Sequence, residues 1–125
     1  MRLLTSFALL IFLFTSCSTE DFHGLDVKQW KDDKGGCSGY RAEAVGILRT
    51  NQDELLAMNV KELRGLLGNP DRHELEKRNS RRFTYFTAKD VHCQAENPGT
   101  ETPNITVRIG PLGEVVEVTF YNMEN

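Results

Sequence analysis

The hydrophobic rhythm of the chain changes several times along its length. Residues 7–14 are an unbroken apolar run of eight, preceded by Arg2 and followed by Thr15 and Ser16. Over residues 41–49, Ala44, Ile47 and Leu48 fall at helical spacing, although Gly46 lowers the local helix propensity by about 1 kcal/mol relative to Ala. Asn51-Gln52-Asp53-Glu54 and Asn59-Val60-Lys61-Glu62 each set an Asn three residues ahead of a Glu, the reciprocal capping pattern of helix starts. They predict one short helix over about residues 52–57 and a second through Leu63, Leu66 and Leu67 to Gly68, which Pro70 forbids from continuing. Val60, Leu63, Leu66 and Leu67 share one face, and that face should pack on a sheet.

From Arg81 the period becomes two. Phe83 and Tyr85 alternate with Thr84 and Phe86 in a strand that extends toward Cys93 with a break near Lys89-Asp90. Residues 94–104, with Pro98, Gly99 and Pro103, read as a loop. Ile105, Val107 and Ile109 then face one way and Thr106 and Arg108 the other; after the turn Gly110-Pro111-Leu112-Gly113 the alternation resumes with Val116, Val118 and Phe120, which makes an antiparallel hairpin. Helices too short to stand alone must bury Leu55, Leu56, Leu63 and Leu67, and the strand faces are the available surface.

Composition changes the picture mainly at the N-terminus. The 125 residues carry 15 Lys+Arg against 18 Asp+Glu, a formal charge of −3, which argues against a globally basic nucleic-acid surface. Residues 1–16 hold eleven apolar side chains and Arg2, so the remaining 109 residues are at −4 and can build only a thin core. A positive start, a short apolar run and small residues before a Cys are the pattern of a secretory leader, too short to span a bilayer. Phe14-Thr15-Ser16-Cys17 resembles the lipobox of bacterial lipoproteins, in which the cysteine becomes the new N-terminus and carries a diacylglycerol with fatty chains such as palmitate. Cys17 is therefore expected to be lipidated, with residues 1–16 as leader, 17–27 as a lipidated tether and 28–125 as one α+β domain. Phe22 and Leu25 would make the first contact with that domain. Ser18 after the cysteine resembles lipoproteins sorted to an outer membrane, on its periplasmic face or at the cell surface.

With Cys17 lipidated, Cys37 and Cys93 remain as an even pair in an oxidising compartment, and a disulfide is expected. The adjacent His92 invites a zinc reading, but neighbouring strand residues point to opposite faces, and neither His23 nor His73 completes a ligand spacing. Asp32 and Asp33 invite calcium, yet Lys34 and Gly36 stand where the next ligands should be; Glu43 alone fits. The segment of residues 28–41 reads instead as a Gly-rich loop pinned by Cys37. No cofactor, metal or catalytic site is expected, because the histidines are dispersed and the disulfide removes the free thiol a Cys-His nucleophile needs. Asn104-Ile105-Thr106 matches a glycosylation acceptor by chance. Candidate partner-binding residues are Trp30, Tyr40 and Arg41, of types enriched at interfaces, although a lone Trp in so small a domain also serves as a core plug over the disulfide. The basic run Lys77, Arg78, Arg81 and Arg82 is a second candidate, its bland alternative being a solvated face.

Residues 51–118 resemble the SmpA/OmlA family of small outer-membrane lipoproteins, the accessory lipoprotein type of the β-barrel assembly machinery. The resemblance is carried by Met58-Asn59-Val60-Lys61-Glu62-Leu63 with Leu67-Gly68-Asn69-Pro70, by Phe83-Thr84-Tyr85-Phe86, and by Ile105-Thr106-Val107-Arg108-Ile109 with Gly113 and Val115-Val116. It implies two short helices packed on one face of a three-stranded antiparallel sheet, here with an N-terminal disulfide-pinned extension. The function it implies is a non-catalytic, lipid-anchored scaffold that binds an envelope protein in outer-membrane assembly or integrity. Two alternatives stand beside it: a secreted inhibitor or ligand-binding lipoprotein, since similar helix-pair-on-sheet units occur in β-lactamase inhibitory proteins, and an envelope hydrolase with an unrecognised site.

Overall fold

A computed structural model describes residues 22–88, 93 and 102–121. Leader, Cys17, His92 and most of the loop read at residues 94–104 lie outside the described residues. Within them the chain forms helices α1 (Val27–Asp32), α2 (Tyr40–Thr50), α3 (Gln52–Leu56) and α4 (Val60–Leu67), then strands β1 (Arg72–Leu75), β2 (Arg81–Phe86), β3 (Asn104–Ile109) and β4 (Val115–Tyr121). The strands form one sheet in the order β1-β2-β3-β4, each antiparallel to its neighbour. The α+β class holds, with four helices and four strands in place of the expected two and three.

The extra elements have local causes. Asp26 caps α1 by accepting the Gln29 N–H at 3.1 Å, which starts a helix inside the segment read as a loop. That helix turns Trp30 wholly into the core. The added strand β1 pairs with β2 from Arg72↔Thr84 to Leu75↔Arg81, but all four of its side chains are exposed, so it shows no burial alternation. Its hairpin closes over Lys77, Arg78 and Asn79, with Glu76 N bonded to Ser80 O at 2.8 Å, and Arg78 and Asn79 both take left-handed φ (63° and 60°) to reverse the chain.

The core is the seam between helices and sheet. Trp30, Leu48, Leu55, Leu63 and Leu67 meet Phe83, Tyr85, Ile105, Val107 and Ile109, all without solvent exposure. Leu56, expected to be buried, is exposed, because a single turn of α3 can turn only Leu55 inward. A register shift at Arg108/Ile109 sets Val115 opposite Ile109, so Val115 enters the core and Val116 points out, the reverse of the simple alternation. At α4 the reciprocal cap is present: Asn59 Oδ1 accepts from Glu62 N at 2.9 Å and Glu62 Oε2 from Asn59 N at 3.0 Å. Asn51 makes no such cap; its side-chain amide donates to Ile47 O at 2.8 Å and closes α2 instead.

Cys37 and Cys93 are disulfide-bonded, with Cα atoms 5.7 Å apart across a sequence separation of 56. Closing a loop of that size stabilises the fold by about 4 kcal/mol in the chain-entropy account. Gly36, at φ 70°, lies so close to the end of β2 that a Cβ there would sit 2.9 Å from Phe86 O. Only glycine fits that approach.

Candidate functional site

Two constellations stand out, one buried and one open. Arg41 lies at the start of α2 with its side chain 1% exposed. Its Nη1 donates to Asp71 Oδ2 at 2.7 Å and to Phe86 O at 3.2 Å, and its Nε donates to Trp30 O at 3.0 Å. The guanidinium also lies 5.1 Å from the Trp30 ring centroid. Asp71 in turn accepts from Gly35 N (3.0 Å) and Phe86 N (2.8 Å), and buried Asp33 accepts from Ser38 N (2.6 Å) and Arg41 N (2.9 Å). Each charge has an opposite charge or several backbone donors, as burial demands. The network ties α1, the 3-10 turn Lys34–Gly36 and α2 to the end of β2. It holds the N-terminal segment in place, with Arg41 buried and only Asp71 and the turn at its edge reaching solvent.

The open constellation is a groove of about 1030 Å³ along α1, the end of α3 and α4. Phe22, Val27, Met58 and Leu66 supply apolar lining, buried or half-buried, while Lys28, Lys31, Asp32, Glu54 and Glu62 supply charge. Several of those charges already have partners. Lys28 Nζ donates to Asp32 Oδ2 at 2.7 Å, and that bond, helped by the carboxylate's charge, raises the ammonium's pKa. Glu54 lies 2.6 Å from His23 Nε2, and Glu62 serves the α4 cap. At the start of α1, the Asp26 carboxyl is held below its ordinary range by the backbone and side-chain donors of Gln29. Charge at the groove is thus neutralised in part, by the Lys28–Asp32 pair, and Lys31 stands beside the apolar surface among the described lining residues.

The residues singled out from the sequence are not brought together. Trp30 and Arg41 are inside the fold, which removes them as partner contacts; the alternative reading of Trp30 as a core residue is the one that fits. Tyr40 is half-buried and its hydroxyl accepts from Asp26 N at 2.8 Å. Arg78, Arg81 and Arg82 lie at the β1–β2 hairpin, where Arg82 pairs with Glu76 and the Arg81 guanidinium lies 5.9 Å from the Phe83 ring. His73 packs edge-on against Phe83 at 4.8 Å. Among the described residues neither His23 nor His73 hydrogen-bonds a serine, threonine or cysteine side chain, and no three His, Cys, Asp or Glu side chains cluster as a metal ion would need. No described helix is long and apolar enough to cross a membrane.

Sequence reasoning missed the groove because its walls come from elements it did not join. Asp26-Val27-Lys28-Gln29 has the capping spacing that marks α1, and Val27 and Trp30 follow at helical spacing. No protein-family model matches the chain, and no curated protein or solved structure matches it.

Proposed function

We propose that the chain is a lipid-anchored envelope lipoprotein of SmpA/OmlA type, a non-catalytic module that binds an apolar segment of another envelope protein. The observation that carries this reading is the position of the groove. Phe22 lines it and stands five residues after Cys17, so a lipidated Cys17 would hold the groove within about 18 Å of the membrane surface. Further support comes from the capped α4 ending at Gly68, the aromatic β2 and the β3–β4 hairpin, the elements on which the resemblance rests. The disulfide suits an oxidising compartment outside the cytoplasm.

The test places a photo-crosslinker at Ala57, an exposed groove residue, and another at Arg108 on the opposite face of the sheet. The expected result is an adduct with an envelope protein from Ala57 and none from Arg108. Equal capture at both positions, or none at either, refutes the groove as the binding face.

One observation favours a second reading, a ligand-binding lipoprotein: the groove is at the upper end of the size range of small-molecule sites. Native mass spectrometry of protein released gently from membranes separates the two, because an apolar ligand would travel with the chain in the absence of any partner.

A further inference from the structure

The sheet has two edges, and they are built differently. β1 is four residues long, follows Pro70 and carries Arg72 and Glu74, the usual protections of an edge strand. β4 is seven residues long and has no Pro, Lys or Arg; its carboxylate, Glu117, is bound to Arg108 at 3.0 Å. Of the five large apolar side chains exposed among the described residues, Val116 and Tyr121 lie on β4, Leu56 lies on α3, which packs against β4, Leu75 ends β1 and Leu112 lies in the β3–β4 turn.

The backbone bonding pattern identifies the free groups. Thr84 O accepts from Asp71 N, and Thr87 N donates to Pro103 O, so even-numbered residues of β2 face β1 and odd-numbered ones face β3. Carried through the register, the alternation turns Asn104, Thr106 and Arg108 toward β4, and Glu117, Thr119 and Tyr121 back toward β3. The N–H and C=O of Val118 and Phe120 therefore point out of the sheet. Among the described residues, the segment around Asn59 covers the start of this edge alone, through Val115 N to Met58 O and Val60 N to Gly113 O.

We infer that this edge pairs with the same edge of a second copy, joining two sheets into one of eight strands. Antiparallel pairing centred on Thr119 lets Val118 of each copy exchange both backbone hydrogen bonds with Phe120 of the other. Glu117 then faces Tyr121 of the second copy, so no like charges meet. Val118 and Phe120, half-buried on the helical face, cover one another across the seam, beneath Arg49, whose guanidinium lies 5.6 Å from the Phe120 ring. The two-fold axis is normal to the sheet, which leaves both helical layers, and both Phe22 residues, on the same side. Resting on the anchor reading, that geometry lets both lipids enter one membrane, whereas a face-to-face dimer would point them apart.

The test uses the full chain with its own leader, carrying Thr119→Cys, in membranes treated with a mild oxidant. Facing residues of a non-hydrogen-bonded antiparallel pair have Cα atoms about 4.5 Å apart, within disulfide range. The expected product is a reducible species of twice the monomer mass, formed at least tenfold more than with Thr106→Cys one strand inward. Adding Val118→Pro, which removes an outward N–H, abolishes the product. Thr119→Lys, on the exposed outer face, turns a dimer into a monomer by light scattering in detergent, while far-UV circular dichroism shows the parent's secondary structure. A Thr119→Cys protein that stays monomeric overturns the inference; a linked species of any other mass assigns the edge to a strand from a different protein and equally overturns it. Combining Thr119→Cys with Cys17→Ala separates the two readings: retained linking with loss from membranes supports the anchor and the dimer together, and retained linking with unchanged membrane association refutes the anchor alone.

Discussion

Replacing Arg41 with Ala removes a guanidinium that is 1% exposed and leaves Asp71, whose side chain is 13% exposed, without its counter-charge. Trp30 O loses the Arg41 Nε donor, Phe86 O loses the Nη1 donor, and the space beside the Trp30 ring is emptied. Breaking one partner out of a buried ion pair costs about 3–5 kcal/mol, and here Asp71 keeps its Gly35 and Phe86 N–H donors but loses the opposite charge beside it, which sets the expectation at the lower end of that range. Against a total stability of about 5–15 kcal/mol, that is about a fifth or more of what holds the domain together. At about 4–8 °C per kcal/mol, a fall in melting temperature of at least about 12 °C follows. Urea unfolding followed by the fluorescence of Trp30, the sole tryptophan, with the disulfide intact, reads the loss directly. Asp71→Asn and the double variant complete a cycle, in which the two losses should couple by about 1–3 kcal/mol. A loss below about 1 kcal/mol, the range of an exposed ion pair, with additive single variants, would show that the network does not fasten the N-terminal segment.

Other consequences are equally direct. Replacing Cys37 and Cys93 with Ser should lower the unfolding free energy by about 4 kcal/mol, measured as a shift of the urea midpoint; a shift under about 1 kcal/mol contradicts the loop-closure account. Gly36→Ala should destabilise markedly, since its Cβ would press on backbone atoms of Phe86, Thr87 and Ala88 at 2.9 Å and its φ is positive; a melting temperature equal to the parent's would show that the close approach is not required. Burial pushes the Tyr85 phenol well above its ordinary 10.0, with Arg64 and Arg41 opposing. A raised acid pKa in the folded state means stability that is full below pH 10 and declines as the pH climbs past it, because the unfolded phenol ionises first. Tyr85→Phe, which loses the 2.8 Å bond to Gly68 O, should therefore be less stable than the parent at pH 8 and close that gap above pH 10; parallel stability curves contradict the burial argument.

The parts of the fold legible from sequence were those with strong local chemistry. Asn59 and Glu62 fix the start of α4, and Gly68 ends it with a positive φ, all from a span of ten residues. Ile105, Val107 and Ile109 alternate because β3 is a central strand with one face in the core. β1 carries no such mark: its only apolar residue, Leu75, is 83% exposed, and what orders the strand is pairing with β2 rather than burial. The Val115/Val116 exchange depends on a bulge whose cause is tertiary, the docking of Met58 O on Val115 N. The same limit explains the site. Trp30, Tyr40 and Arg41 have the composition of an interface, yet Arg41 is drawn inward by Asp71, thirty residues away, and no spacing rule links them. The groove likewise joins Phe22, Met58 and Leu66 through packing that local pattern does not encode.

The central claim is that a lipid on Cys17 holds this disulfide-stapled domain at a membrane outside the cytoplasm. Intact-mass spectrometry of the protein extracted from the membrane fraction tests it most directly. The account predicts a chain that starts at Cys17, lacks residues 1–16 and carries the added mass of a diacylglycerol with its acyl chains, while Cys37 and Cys93 remain oxidised. An unmodified chain with residues 1–16 still attached, or a cleaved chain with no added lipid recovered from the soluble fraction, would contradict it.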